Sequence, residues 1–297
     1  MDRTAAPLTV ERWTLGEPLG SGGAGTVHSA LDRATGERCA VKFFRPLAGP
    51  SSQGPGADAG VLRELRTAEA LVHPHIVRAH ACGYADGRYF LVMERCELGS
   101  LAELVRRAGP LDAERAVALF LDVLDGLRYA HSAPLDAVDA AGGRVAVRGV
   151  VHRDIKPQNL LLTGSAAAPL VKIADFGLAK SYELAGVSGV THTGASAGTP
   201  AFMPRQQVVN FKYARPDVDV WAAAASLYFA LSGQAPREFA AGRDPWLTVW
   251  NTAPVPLPER VRGVPSRLAR VVDAALVDDP RIHFPTAADF RAALESV

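Results

Sequence analysis

Two short polar clusters, sixteen residues apart, constrain this chain more than any other feature. The first spans Val151–Asn159 and reads V-H-R-D-I-K-P-Q-N, and the second, at 175–177, reads D-F-G. Asp154 can take the proton of an attacking hydroxyl, Lys156 can neutralise the charge of a moving phosphoryl group, and Asn159 and Asp175 can bind Mg²⁺. Either cluster alone would also fit an ordinary polar turn. Both together, in this order, predict phosphoryl transfer.

The two clusters resemble the motifs H-R-D-x-K-x-x-N and D-F-G of Hanks-type (eukaryotic-like) serine/threonine protein kinases. Lys156, two residues after Asp154, is typical of the serine/threonine branch rather than the tyrosine branch. The resemblance covers residues 12–297 and implies an α+β, two-lobed protein-kinase-like fold. It implies a small antiparallel β-rich N-lobe at about 12–95 and a mainly α-helical C-lobe at about 96–297, after an N-terminal extension at 1–11.

Composition limits the partners. The chain has 297 residues and a formal net charge of +1, so no general attraction to nucleic acid or to an anionic membrane is expected. Three widely spaced cysteines without a metal-binding pattern predict reduced thiols in the cytoplasm. The first ten residues lack the pattern of a signal peptide. The longest apolar run, Val220–Leu231, is too short to cross a bilayer and predicts a buried helix.

A glycine-rich loop near the N-terminus fits a nucleotide site. Residues 20–27 read G-S-G-G-A-G-T-V between strand-like segments at 13–19, 26–30 and 38–44. The same glycines also occur in dinucleotide-binding folds, but there a helix would follow, and here the alternation of 26–30 predicts a strand. Glycines at these positions let backbone N–H groups close over phosphates.

The resemblance assigns the remaining nucleotide contacts. Cys39–Lys42 matches the V-A-I-K strand, which places Lys42 on the α- and β-phosphates with Glu64 as its ion-pair partner. Glu69 is the alternative partner, and we expect it to be a solvated charge. The resemblance makes Met93 the gatekeeper beside the adenine. The ATP-binding residues it implies are Leu19, Gly20, Ser21, Gly22, Gly23, Ala24, Gly25, Val27, Ala40, Lys42, Met93, Glu94, Cys96, Leu161 and Asp175.

Helical spacing is predicted at 61–71, 111–131, 264–276 and 286–294, and short strands at 88–93, 160–163 and 171–174. Residues 132–148 are longer than the connection such kinases use before the catalytic loop. They predict either a surface hairpin or a tolerated loop insertion.

Residues 178–199 are polar and small, and the resemblance makes them an activation segment. Thr191 and Thr193 resemble the paired autophosphorylation threonines of bacterial kinases, although threonines are also common in flexible loops. Arg153 is the expected partner of a phosphothreonine, because a guanidinium binds phosphate through two hydrogen bonds. Thr199 is expected to position the protein substrate.

The chain departs from the family at the end of this segment. The usual M-A-P-E reads M-P-R-Q at 203–206, so Gln206 replaces a glutamate. Its usual arginine partner falls at His283, and Arg281 is a candidate for a displaced partner. Replacing both members of a buried ion pair by neutral groups is often tolerated. Asp219 matches the aspartate that braces the catalytic loop.

The resemblance therefore implies a serine/threonine protein kinase that uses ATP with Mg²⁺, or alternatively Mn²⁺. Its implied partners are protein substrates with Ser or Thr acceptors and a transient second copy for autophosphorylation in trans. Two alternatives remain: a pseudokinase that acts as a nucleotide-binding scaffold, and a kinase-like enzyme acting on a small molecule. The intact set Lys42, Glu64, Asp154, Asn159 and Asp175 favours the enzyme. Gly198-Thr199-Pro200 favours a protein substrate.

Overall fold

A computed structural model of the chain describes residues 10–22, 25–45, 65–138, 144–176, 200–209, 211 and 214–297. A five-stranded antiparallel sheet forms the N-terminal part of the structure, and helices dominate the C-terminal part. This arrangement confirms the predicted α+β class with two lobes. The lobe boundary at residue 95 stays a prediction.

The sheet contains β1 (Trp13–Gly22), β2 (Gly25–Asp32), β3 (Arg38–Phe44), β4 (Ala79–Ala85) and β5 (Arg88–Glu94), in the order β1-β2-β3-β5-β4. Strand β3 is central, and every residue after Arg38 in it is buried. Apolar clusters cover both of its faces, one around Trp13 and Phe90 and the other around Phe44 and Leu65. The strand order confirms strand, glycine loop, strand and strand as predicted.

The helices bury one large core. They are α1 (65–70), α2 (Leu101–Ala108), α3 (Ala113–Ala130), α4 (Arg205–Val209), α5 (Pro216–Ser232), α6 (Pro245–Asn251), α7 (Leu257–Arg260), α8 (Ser266–Ala275) and α9 (Ala287–Glu295). Helix α5 is buried on nearly all sides, as its apolar run predicts, and its alanines allow α3 and α9 to pack closely. Within the described ranges, no helix is both long and apolar enough to cross a membrane.

Two hairpins and three 3₁₀ turns complete the part of the fold that the structure describes. Strands β8 (Leu160–Gly164) and β9 (Pro169–Ile173) follow the catalytic loop, while the 3₁₀ turns lie at Val10–Arg12, Pro157–Asn159 and Pro200–Phe202. The long connection contains β6 (Pro134–Val138) paired with β7 (Arg144–Arg148), so it is the hairpin that the sequence offered as one alternative.

Gly25 begins β2 directly after the glycine loop and cannot carry a side chain. Its φ is 151°, and an added Cβ would lie 1.9 Å from the carbonyl oxygen of Phe43. We expect Gly25→Ala to lower the unfolding free energy by about 1–3 kcal/mol, because β2 would have to move away from β3. Gly20→Ala is the matched control, since no atom lies within 4 Å of its added Cβ. Equal stability of the two variants in chemical denaturation would contradict this reading.

Candidate functional site

The carboxylate, the ammonium and the carboxamide to which the sequence analysis assigned chemistry in the first cluster lie together. Lys156 Nζ is 2.8 Å from Asp154 Oδ2. The amide nitrogen of Asn159 donates to the Asp154 carboxylate at 3.0 Å and to its backbone carbonyl at 2.8 Å. Proline at 157 starts a 3₁₀ turn that brings Asn159 back toward Asp154. The loop therefore presents a carboxylate whose position is fixed from two sides.

Asp219 holds this loop against the helical core. Its side chain on α5 is fully buried, and its carboxylate accepts hydrogen bonds from the backbone N–H groups of His152 and Arg153, both at 2.7 Å. The His131 ring contacts the same carboxylate at 2.8 Å. A buried carboxylate is stable only with such donors. The expected bracing role of Asp219 is confirmed.

His152 connects the two clusters. Its Nδ1 accepts from the backbone N–H of Asp154 at 3.1 Å, which assigns the ring proton to Nε2, 2.7 Å from the carbonyl oxygen of Ala174. The ring also packs edge-on against Phe176. Asp154 and Asp175 are therefore positioned through one buried imidazole.

Asp175 faces the sheet across the cleft and pairs with Lys42. Lys42 Nζ, buried on β3, lies 2.6 Å from Asp175 Oδ2. Burial alone raises the pKa of Asp175, but the charge and hydrogen bond of Lys42 outweigh burial, and the pKa is lowered overall. The carboxylate is thus ionised at neutral pH. Arg153 and Asp175 both have left-handed φ values, 67° and 65°, which store backbone strain beside the chemistry.

An apolar slot lies between the lobes above these groups. Ala40, Val77, Met93 and Ala174 form one buried cluster, and three partly buried side chains pack on it: Val27, Cys96 and Leu161. This set contains five of the ATP-binding residues that the resemblance implies: Val27, Ala40, Met93, Cys96 and Leu161. The N–H of Glu94 donates to the carbonyl of Arg78 at 2.9 Å, so this N–H is already engaged within the chain.

The glycine loop is described in part. Leu19, Gly20, Ser21 and Gly22 lie on the exposed end of β1, and Gly25 begins β2. Six sequence-predicted site residues fall outside the described residues: Gly23, Ala24, Glu64, Thr191, Thr193 and Thr199.

The sequence missed the contacts that hold the segment end. Gln207 is buried and donates to the carbonyl of Arg153 at 2.6 Å. Arg205 contacts Asp278, 73 residues away, and Arg237 contacts the same carboxylate. Arg281, the suggested displaced partner, is exposed, and the Gln206 amide donates to the backbone carbonyl of Asp278. Ion pairs between distant residues produce no short-range pattern in the sequence. The one available signal was Arg237, an arginine that follows the buried helix α5.

The contacts of the Glu94 side chain, at the end of β5, also had no sequence signal. The Glu94 carboxylate accepts from Lys172 Nζ at 2.8 Å and from the N–H of Arg78 at 2.6 Å. Lys172 is on β9, three residues before Asp175. The end of β5 is therefore tied to β9, the strand that directly precedes the second cluster.

We expect Asp219→Asn to lower the unfolding free energy by about 2–4 kcal/mol, because an amide NH₂ would replace one of two acceptor oxygens facing N–H donors. Asp217→Asn, two residues earlier and partly exposed, is the control and should change stability by less than about 0.5 kcal/mol. Chemical denaturation of both variants measures the difference. Equal midpoints would show that the catalytic loop does not depend on the carboxylate.

The cysteines should be unreactive in the folded chain. Burial raises the pKa of Cys82 and of Cys96 to about 12, and it also raises the pKa of Cys39. At pH 8 the thiolate fraction then falls from roughly a quarter for a free cysteine to about one in ten thousand. We expect labelling by a disulfide reagent to be at least about 100-fold slower in the native than in the unfolded chain. Rapid native labelling of Cys96, mapped by mass spectrometry, would contradict the expectation.

The chain is similar to known proteins over most of its length. The family model described as protein kinase domain matches residues 13–249. The chain is 30% identical to the serine/threonine-protein kinase PknB of Mycobacterium leprae, over 98% of this chain and 44% of that protein. It is 31% identical to PknB of Mycobacterium tuberculosis, over 97% and 43%. It is also 31% identical to the serine/threonine protein kinase OSK3 of Oryza sativa subsp. indica, over 76% and 40%.

The chain spans less than half the length of these curated relatives. Among solved structures, Rad53 1–466 in complex with AMP-PNP has a TM-score of 0.71 and 25% identity, over 96% of this chain and 66% of that one. The family model and the solved structure both cover the sheet, the cleft and most of the helical core of this chain. The chain belongs to the protein kinase domain family.

Proposed function

We propose that this chain is a serine/threonine protein kinase that transfers the γ-phosphoryl group of ATP to protein hydroxyls. One observation supports this most directly: Asp154 is within hydrogen-bond distance of both Lys156 and Asn159, and the charge of Lys156 also acts on Asp175, which pairs with Lys42. A base, a cation and two metal-ligand types are then all available at one place. The relatives named as serine/threonine kinases support the same reaction.

The apolar slot suits the adenine. Val27 and Ala40 would lie on one face of the base and Leu161 on the other, because these side chains pack around the same cluster on opposite lobes. The backbone of Glu94 and of Cys96 would bind the polar edge of the base. The glycine loop, including Gly23 and Ala24, would cover the phosphates near Lys42.

The donor set fits Mg²⁺. The amide nitrogen of Asn159 is engaged by Asp154, so its carbonyl oxygen is the remaining ligand atom, and Asp175 supplies an ionised carboxylate. Mg²⁺ prefers a few protein oxygens together with nucleotide phosphates. When bound, the ion neutralises charge on the phosphates and orients them. Mn²⁺ has the same oxygen preference and is an alternative.

The proposed transfer is an in-line displacement. Asp154 orients the acceptor hydroxyl and takes its proton as the new O–P bond forms. The bond from the γ-phosphorus to the bridging oxygen breaks, and ADP leaves. Lys156 neutralises the charge that develops on the phosphoryl group, and Lys42 holds the α- and β-phosphates. Glu64 is proposed to pair with Lys42 when ATP is bound.

Autophosphorylation is proposed at Thr191 and Thr193, in trans between transiently paired copies. Arg153 Nε is buried and has no hydrogen-bond partner among the described residues, which suits a guanidinium that binds a phosphothreonine. Thr199 is proposed to position the acceptor segment. Three free thiols support a reducing, cytoplasmic setting.

The test is incubation of the purified chain with Mg²⁺ and labelled ATP, followed by phosphosite mapping. We expect label on Thr191 or Thr193 that falls by at least about 100-fold in Asp154→Asn and Lys42→Ala, because the base or the phosphate contact is lost. Glu114→Gln, an exposed change, is the control and should keep full activity. ATP binding without label on the chain or on a threonine peptide would instead support a nucleotide-binding scaffold.

A further inference from the structure

The missing glutamate at position 206 is not replaced locally. The Gln206 amide donates to the backbone carbonyl of Asp278 at 2.5 Å. His283, at the position of the usual arginine, is exposed and contacts Phe284. The family ion pair between these two positions is therefore absent from the described structure, and something else must hold the segment.

Asp278 is a buried charge whose backbone carbonyl already contacts Gln206. Its Oδ2 accepts from the backbone N–H of Arg205 at 2.9 Å and from Arg237 Nη2 at 2.5 Å, and its Oδ1 accepts from Arg205 Nη1 at 3.0 Å. The carboxylate is 1% exposed. Two guanidinium groups on different segments thus share one buried carboxylate, and charge-assisted bonds of this kind are strong.

Arg237 is the member that the sequence least explains. Its side chain is fully buried, its guanidinium lies over the Trp221 ring at 4.8 Å, and its Nη1 and Nε donate to the carbonyls of Met203 and Thr252 at 3.1 and 3.0 Å. A buried cation is costly unless it is paired and hydrogen-bonded. Here Nε, Nη1 and Nη2 are all engaged, so the site is built around this charge.

Arg205 extends the same network to helix α6. Its Nε donates to the carbonyl of Trp250 at 3.0 Å and its Nη2 to that of Thr252 at 2.8 Å. Asp279, largely exposed, lies 3.8 Å from Nη1 and offsets part of the excess positive charge. Residues 203–205 are therefore fastened to the end of α6 and to Asp278 by the two guanidinium groups.

The network ends at the catalytic loop. Gln207 follows directly and donates to the carbonyl of Arg153, the residue before Asp154. A displacement of residues 203–207 would reach the backbone of the catalytic base within a few bonds. Small misplacements of reacting groups reduce rates strongly.

We propose that Arg205, Asp278 and Arg237 form a relocated ion-pair anchor, which replaces the family's glutamate–arginine pair and positions residues 203–207 for the protein substrate. The part of the proposal that concerns substrate rests on the proposed kinase function. These are positioning residues, because they touch the segment and not the reacting atoms. ATP binding, on the other side of the catalytic loop, does not depend on them.

The test compares Arg237→Met and Asp278→Asn with two exposed controls, Arg281→Met and Asp86→Asn, which remove the same charges. Hydrogen exchange of residues 200–209 reports the anchor directly. Transfer to a peptide of residues 186–198 reports the substrate site, and a fluorescent ATP analogue reports the nucleotide site. Asp278→Asn leaves two buried guanidinium groups uncompensated and can fail to fold. Arg237→Met keeps the Arg205–Asp278 pair. If Asp278→Asn does not fold, Arg237→Met alone tests the anchor.

We expect faster exchange at 200–209 in Arg237→Met, with kcat/KM for the peptide about tenfold lower or more and ATP affinity within about twofold of wild type. Unchanged exchange at 200–209, or an equal loss of ATP affinity, would overturn the anchor. A wild-type chain that transfers nothing would refute the proposed function instead, and the exchange measurement would still judge the anchor.

Reinstalling the family pair gives a second, independent test. In the Arg237→Met background, Gln206→Glu with His283→Arg should recover at least about half of the lost exchange protection. Gln206→Glu alone should worsen it, because the new carboxylate would face the carbonyl of Asp278. Equal behaviour of the single and the paired substitutions would refute the claim that the anchor replaces that pair.

Discussion

The buried carboxylate of Asp219 is the interaction on which the site depends. The catalytic loop is neither helix nor strand, so its backbone N–H groups have no ladder to satisfy them. Asp219 accepts two of these groups directly, on a helix that the core surrounds, and His131 contacts the same carboxylate. The left-handed backbone at Arg153 is held by these bonds, since a strained residue persists only when its surroundings fix it. The position of Asp154 is therefore fixed through a helix that is buried on nearly all sides.

A second buried carboxylate, Asp278, performs the corresponding task for the segment that follows the cleft. Both carboxylates are almost fully buried, yet they differ in their donors: Asp219 receives mainly backbone N–H groups, whereas Asp278 receives two guanidinium groups. Backbone donors fix a loop without adding charge. Guanidinium donors add charge that must itself be satisfied, and the carbonyls of Met203 and Thr252 do this. A network of this kind is stable only when complete. Its members lie on four separate segments, so it also ties these segments to one another.

The sequence predicted what is local and missed what is distant. The strands around the glycine loop and the buried helix α5 followed from periodicity and composition, and the class of fold and the bracing role of Asp219 followed from the family resemblance that local motifs carry. The grouping of Val27, Ala40 and Leu161 followed from the resemblance alone. Arg237 and Asp278 could not be predicted, because 41 residues separate them and neither belongs to a motif. The replacement of Gln206 and His283 was visible, but its compensation required the positions of side chains from other segments.

The contact between Glu94 and Lys172 is one of the links between the sheet and the strand that precedes Asp175. The segment before β4 pairs with the end of β9, since Val77 donates to the carbonyl of Ile173 and Ile173 to that of His75. Glu94 then bridges Arg78 to Lys172 on the same strand. Asp175 follows β9 by two residues, and its partner Lys42 is on the sheet. Residues of the sheet therefore hold both ends of the short segment from Lys172 to Asp175, Glu94 at its start and Lys42 at its end.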